Sequence, residues 1–189
     1  DLAVGAVGDN GGGTDHGALH IMFMNINGTV DSTVEINNST TNGPVLTNGD
    51  KFGYSIANIG DLNGDGVNDI AVGAFGDDMD ENDNASGGSN RGALHIMFMN
   101  INGTVASTVE INDSTTNGPV LTNSDYFGSS VANIGDLNGD GVNDLAVGAR
   151  FDDNGDDDSG AIHIMFMNID GSVDSTVEIN SSTTHGPTL

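Results

Sequence analysis

Two segments recur along the chain with little or no change, and their spacing restricts what it can fold into. GALHIMFMNINGTV stands at 17–30 and again at 92–105, and GAIHIMFMNIDGSV follows at 160–173. DLAVGA at 1–6 returns as DIAVGA at 69–74 and DLAVGA at 144–149. The offsets are 75 and 68 for the first motif and 68 and 75 for the second. The whole difference lies in the segment after the second motif, with 10 residues at 7–16, 17 at 75–91 and 10 at 150–159. The block from GAL to AVGA stays at 58 residues, 17–74 and 92–149. A constant block with one variable loop is the signature of a structural unit that stacks on copies of itself and takes insertions on one face.

Within a unit the pattern is four strands and no helix. FGYSIANIG (52–60), DIAVGAFG (69–76), ALHIMFMNI (93–101) and STVEIN (107–112) are rich in Val, Ile and Phe. Gly and Asn-Gly punctuate the gaps between them, and no window carries a helical period. In the third strand Leu94, Ile96 and Phe98 fall on one face and His95, Met97 and Met99 on the other. Both faces are largely apolar, which predicts a small antiparallel sheet covered on both sides, as in propeller blades. Hydrophobic residues make up only 35% of the chain and the formal charge is −25, a combination that otherwise marks disorder. The ordered repeats overrule that reading, and divalent cations are the natural means of offsetting so many like charges.

The charge also sets limits on partners. Three Lys and Arg against 28 Asp and Glu exclude phosphate-backbone binding and adsorption to anionic lipid. Apolar runs of about six residues are far short of the roughly 20 that span a bilayer, so no membrane insertion is expected. The absence of Cys excludes disulfides, thiolate metal sites and cysteine catalysis.

Between the first and second strands lies the nonapeptide DLNGDGVND, at 61–69 and unaltered at 136–144. Asp61, Asn63, Asp65 and Asp69 offer oxygen at positions 1, 3, 5 and 9, with the Val67 carbonyl at position 7. Asp136, Asn138, Asp140, Asp144 and the Val142 carbonyl repeat the set. Calcium takes six to eight oxygens in flexible geometry, whereas magnesium demands a stricter octahedron, so calcium is the expected ion. An EF-hand would need Glu at position 12, where Val72 and Val147 stand. The bland alternative is an Asx-rich hairpin turn without metal.

FGYSIANIGDLNGDGVNDIAVGA (52–74) and FGSSVANIGDLNGDGVNDLAVGA (127–149) resemble the FG-GAP repeat of integrin alpha-subunit propellers and their bacterial relatives. The Phe-Gly pair, the calcium loop and the Gly-Ala pair stand in family order, although Phe75 and Arg150 replace the GAP proline. The resemblance implies an all-β, calcium-stabilised fold of four-stranded antiparallel propeller blades. It also implies an extracellular or cell-surface setting and roles in cell adhesion, in surface assemblies or as accessory domains of secreted enzymes. By this reading 1–46 is an incomplete repeat lacking the counterparts of 47–68, while 47–121 and 122–189 are whole repeats. Roughly 2.7 blades do not close a ring, so an open array, a stretch of a longer protein, or a filament of copies placed head to tail is expected.

The acidic variable loops carry Asp77, Asp78, Asp80, Asp152, Asp153 and Asp156, read as solvated charge or as a second set of weak cation sites. His20, His95 and His163 share one strand position, which points to packing or a hydrogen bond at the blade surface; no nucleophile–base pair is identifiable. Glycosylation sequons begin at Asn27, Asn37, Asn38, Asn84, Asn102, Asn112 and Asn180, and Ser/Thr runs at 39–41, 114–116 and 181–184 suit O-glycans. The reading is therefore a non-enzymatic, calcium-binding extracellular repeat protein with a structural or adhesive role; the alternative is a binding module of a larger secreted enzyme. Its expected partners are calcium, neighbouring repeats or identical copies, and glycans or surface proteins.

Overall fold

A computed structural model describes residues 1–11, 13–78, 90–153 and 159–187. The sequons and carboxylates at Asn84, Asp80 and Asp156 lie outside these residues. Eleven strands and no helix are found among the described residues, in three antiparallel sheets. The first holds β1 (Leu2–Ala6), β2 (Ala18–Met24) and β3 (Val30–Ile36). The second holds β4 (Ser55–Gly60), β5 (Asp69–Ala74), β6 (Ala93–Met99) and β7 (Val105–Ile111). The third holds β8 (Phe127–Gly135), β9 (Asp144–Ala149), β10 (Ala161–Met167) and β11 (Val173–Ile179). In each sheet chain neighbours are spatial neighbours, a simple meander.

The sheets stack face to face. Leu94, Ile96 and Phe98 pack with Phe127, Leu145, Val147, Met165 and Met167 in one core between the second and third sheets. Met97, Met99, Val72 and Val105 join Leu19, Ile36 and Phe52 in another core, between the first and second. The alternation read from the third strand is thus the alternation of two cores, and every residue of β6 is buried. The outer sheets are covered on one face only: Ile162, the repeat counterpart of the fully buried Leu94, is 46% exposed. The expectation that all three copies of this strand would be covered on both sides holds for the middle copy alone.

Glycine lets the sheets approach so closely. A Cβ on Gly73 would lie 2.0 Å from the Gly128 carbonyl oxygen, and one on Gly5 would lie 1.9 Å from that of Gly53. Each pair joins the Gly of one AVGA strand to the Gly of the next Phe-Gly pair, so backbone rests directly on backbone. The Ser55 hydroxyl donates to the same Gly128 carbonyl at 2.7 Å. Single parallel bridges, Gly17 to Phe52 and Gly92 to Phe127, tie each unit to the next. One departure from the sequence reading is that β4 begins at Ser55, not Phe52; its counterpart β8 begins at Phe127, with a register shift between Phe127 and Ser130. Phe52 and Phe127 are both wholly buried at the seams, and Gly53 and Gly128 both take positive φ, 89° and 80°. The outer strand β7 starts at Val105, two residues early, where Val105 pairs with Met99; β3 and β11 start at the equivalent Val30 and Val173.

Candidate metal loops and the blade seams

The turn from β4 to β5 is organised by its own acceptors. The Asp65 N–H donates to both the Asp61 carboxylate and the Asn63 side-chain carbonyl, each at 2.9 Å. The second Asp61 oxygen accepts the Gly66 N–H at 2.9 Å, and Asp65 accepts that of Val67 at 2.8 Å. The loop between β8 and β9 repeats this: Asp136 accepts from Asp140 at 3.0 Å and Gly141 at 2.9 Å, Asn138 from Asp140 at 3.0 Å, and Asp140 from Val142 at 2.8 Å. Positions 1, 3 and 5 are therefore drawn together around one strip of backbone on an exposed loop.

Position 9 behaves differently. Asp69 is fully buried; its two oxygens accept the Leu62 N–H at 2.9 Å and the Met99 N–H at 3.0 Å. Asp144 repeats this with Leu137 at 2.8 Å and Met167 at 3.2 Å, and Asp1 accepts from Met24 at 2.9 Å. In each sheet the methionine follows a register shift, between Phe98 and Met99, Phe166 and Met167, or Phe23 and Met24. The bulge takes that N–H out of the ladder and the carboxylate satisfies it. Burial raises the Asp69 pKa, opposed by these backbone hydrogen bonds.

Among the described residues no three His, Cys, Asp or Glu side chains are gathered so that they could hold a metal. The three Asp carboxylates of each loop do not form such a cluster by themselves; with the Asn side-chain carbonyl and a backbone carbonyl they make a set of hard oxygens, the type calcium prefers. A carboxylate oxygen that accepts one N–H, as Asp61 Oδ1 and Asp65 Oδ1 do, keeps a second lone pair for an ion, whereas Asp136 Oδ1 already accepts from both Gly139 and Asp140.

The variable-loop carboxylates are not all solvated, contrary to the sequence reading. Asp77 and Asp152 are buried, as are Asp50 and Asp125 at the seam beside them. Desolvation, reinforced by Asp50, Glu110, Asp78 and Asp113, pushes Asp77 up to about 8. Asp50 is pushed to about 6, again chiefly by burial, although Thr47 donates to it through N–H and hydroxyl. Two of the three repeated histidines lie deeper than the blade surface: His95 and His163 are fully buried, edge-on to Phe52 and Phe127 with ring centroids 5.4 Å apart, while His20 is half-buried. Burial lowers His95 to about 4.

These groups set a pH dependence. Asp77 and Asp50 keep protons in the folded chain that an unfolded Asp releases near 3.8, so their contribution is complete at low pH and lost as pH rises through about 6 and about 8. His95 acts oppositely: its contribution is present above 6.5 and lost as pH falls through about 4. The melting temperature is expected to rise as pH is lowered from 9 to about 6.5, and Asp77→Asn should flatten that rise. Identical profiles for the two chains would show that Asp77 does not titrate there.

The two residues at the absent GAP proline form a feature that sequence reasoning missed. Tyr54, Phe75, Tyr126 and Phe151 run in a row with successive ring centroids 4.4, 5.6 and 5.4 Å apart. The Arg150 guanidinium lies 4.9, 4.7 and 5.0 Å from the rings of Phe75, Tyr126 and Phe151. The available signal was that one repeat slot holds an aromatic and then its cationic partner.

Stacked four-stranded sheets, glycine-to-glycine seams and acidic turns between the first two strands define a propeller-blade repeat protein. The FG-GAP repeat family model matches residues 52–97 and 127–165. The chain is similar to integrin alpha-2 of Mus musculus, 35% identical over 107 residues, 57% of this chain and 8% of that protein. It is 34% identical to integrin alpha-E of Mus musculus over 121 residues, 64% of this chain and 10% of that protein. With integrin alpha-6 of Homo sapiens it shares 40% over 104 residues, 55% of this chain and 8% of that protein. The chain thus spans a tenth or less of these relatives' length, and its residues 52–97 and 127–165 are FG-GAP repeats similar to those of integrin alpha subunits.

Proposed function

We propose that the chain is a calcium-binding, non-enzymatic repeat module of an extracellular or cell-surface protein, acting in adhesion or surface assembly. The observation that carries this reading is the paired loop at 61–69 and 136–144, whose oxygen donors at positions 1, 3 and 5 gather on the same backbone strip. Asp61, Asn63, Asp65 and Asp69 with the Val67 carbonyl would hold one calcium ion. Asp136, Asn138, Asp140 and Asp144 with the Val142 carbonyl would hold the other. The ion supplies charge neutralisation; the loops supply its oxygens and join it to the blade, since position 9 is already anchored to β6 or β10. Integrin alpha similarity supports the extracellular, adhesive setting, with surface proteins or glycans as ligands.

The two outer sheet faces favour association by further stacking. Leu2 and Val4 on the first sheet are 53% and 41% exposed, whereas Val72, the counterpart of Val4, is wholly buried. More blades of the same polypeptide, or a second copy head to tail, would bury them as the inner seams are buried. A module attached to a secreted enzyme is the second reading.

Calcium at 100 times its dissociation constant is expected to add about 2.7 kcal/mol per site. The melting temperature should therefore rise by several degrees between excess chelator and millimolar calcium. An unchanged melting temperature would overturn the calcium reading.

A further inference from the structure

Six of the sequons fall among the described residues, and their amide nitrogens are differently engaged. At the ends of the outer strands, Asn37, Asn112 and Asn180 donate through Nδ2 to Glu35, Glu110 and Glu178 at 2.6, 2.5 and 2.5 Å. Their Oδ1 atoms accept the N–H groups of Ser39, Ser114 and Ser182 at 2.8, 2.9 and 2.9 Å. Asn37 and Asn112 are half-buried and Asn180 is buried. Asn38, also half-buried, holds the Leu46 N–H at 2.9 Å through its carbonyl.

Asn27 and Asn102 are unlike these. Both are exposed at the tips of the β2–β3 and β6–β7 turns. Their Oδ1 atoms accept the N–H and hydroxyl of Thr29 at 3.0 and 2.7 Å, and of Thr104 at 3.1 and 2.7 Å. The third repeat shows which atom the turn needs. There Asp170, which has no amide nitrogen, accepts the N–H and hydroxyl of Ser172 at 3.0 and 2.6 Å in the same geometry. The turn depends on the oxygen alone, and the nitrogen of Asn27 or Asn102 is structurally dispensable. Beside these residues stand Ile26 and Ile101, 109% and 85% exposed, an apolar surface that an attached sugar would cover.

We infer that Asn27 and Asn102 are attachment sites for an N-linked glycan and that Asn37, Asn38, Asn112 and Asn180 are not. The donor is a lipid-linked sugar diphosphate. Nδ2 bonds to the anomeric carbon as the bond from that carbon to the diphosphate oxygen breaks; the diphosphate leaves with the electron pair and Nδ2 loses one proton. At Asn37, Asn112 and Asn180 that nitrogen is already held by the glutamate two residues before, and Asn38 is half-buried with its side chain holding the Leu46 N–H. The inference rests on the extracellular reading for its biological setting, but the acceptor geometry is separately testable.

The test is secretion of the chain from a eukaryotic cell behind a secretion leader, followed by peptide mass mapping. Glycan is expected at Asn27 and Asn102 and absent from Asn37, Asn38, Asn112 and Asn180. Asn27→Asp and Asn102→Asp should each remove one glycan and, on the Asp170 precedent, leave the deglycosylated chain's melting temperature unchanged. Glycan on Asn37, Asn38, Asn112 or Asn180 of the folded chain, or bare Asn27 and Asn102 beside an occupied control protein, would overturn the inference. Fractionation of the source cells tests the extracellular reading separately: an intracellular location would sink that reading and leave the acceptor assignment standing.

Discussion

Gly73→Ala is expected to break the seam between the second and third sheets, whereas Gly148→Ala in the equivalent position is expected to be tolerated. The added methyl at Gly73 would stand 2.0 Å from the Gly128 carbonyl oxygen and 2.4 Å from the Ser55 Oγ. The hydroxyl can rotate away, at the loss of its hydrogen bond to Gly128, but the carbonyl is backbone and cannot. Gly128 cannot readily retreat either, since it is flanked by Phe127, which is wholly buried in the core below. The sheets must separate, and the Leu94, Phe98, Phe127 and Leu145 contacts separate with them. Overpacking with backbone displacement costs about 3 kcal/mol or more, a large share of the roughly 5–15 kcal/mol that stabilises a typical domain. At Gly148 the nearest atoms to a new Cβ are serine hydroxyls, Ser130 at 2.3 Å and Ser129 at 3.6 Å, which can turn aside. The expected cost there is about 1 kcal/mol or less. Denaturant midpoints of the two variants decide the matter; equal shifts would mean that sheet-to-sheet approach is not what the Gly-Ala glycine serves.

That contrast marks how much the sequence discloses. The repeats, the four-strand unit and the two-faced burial of β6 are legible because periodic apolar residues report burial directly. Phe98 and Met97 point into different cores, as their alternation requires. What is not legible depends on contacts between units. Nothing local distinguishes Gly73 from Gly148, since only the former has a following sheet against it. The exposure of Ile162 and the full burial of Leu94 arise in the same way. Charge was harder still to read: Asp77 lies in a run of acids that suggests a solvated loop, yet the turn folds it under the blade edge. The acidic nonapeptide was legible as a set of oxygen donors, but not the division of labour within it. Position 9 looks like one more ligand in a pattern; only the bulge after Phe98, a tertiary detail, gives it a second task.

That second task yields the other large effect. Asp69→Ala is expected to destabilise the chain even in excess chelator, whereas Asp65→Ala should matter only when calcium is present. Removing the Asp69 carboxylate strands the Leu62 and Met99 N–H groups, which it accepts in a buried setting. Each unsatisfied buried donor costs about 1–3 kcal/mol, so a loss of about 2–6 kcal/mol is expected without metal. Asp65 is exposed and accepts the Val67 N–H on the loop, where water can replace it. In chelator its removal should cost less than about 1 kcal/mol, but it takes away a ligand and with it much of the calcium-dependent gain at that loop. Four denaturation curves, two variants each with chelator and with calcium, separate the roles. If Asp69→Ala is as mild as Asp65→Ala in chelator, the carboxylate does not anchor the bulge. If Asp65→Ala keeps the full calcium response, the loop oxygens assigned to the ion are wrong. The Asp144 anchor, which accepts from Leu137 and Met167, should behave as Asp69 does, because the same bulge leaves the same N–H to be satisfied.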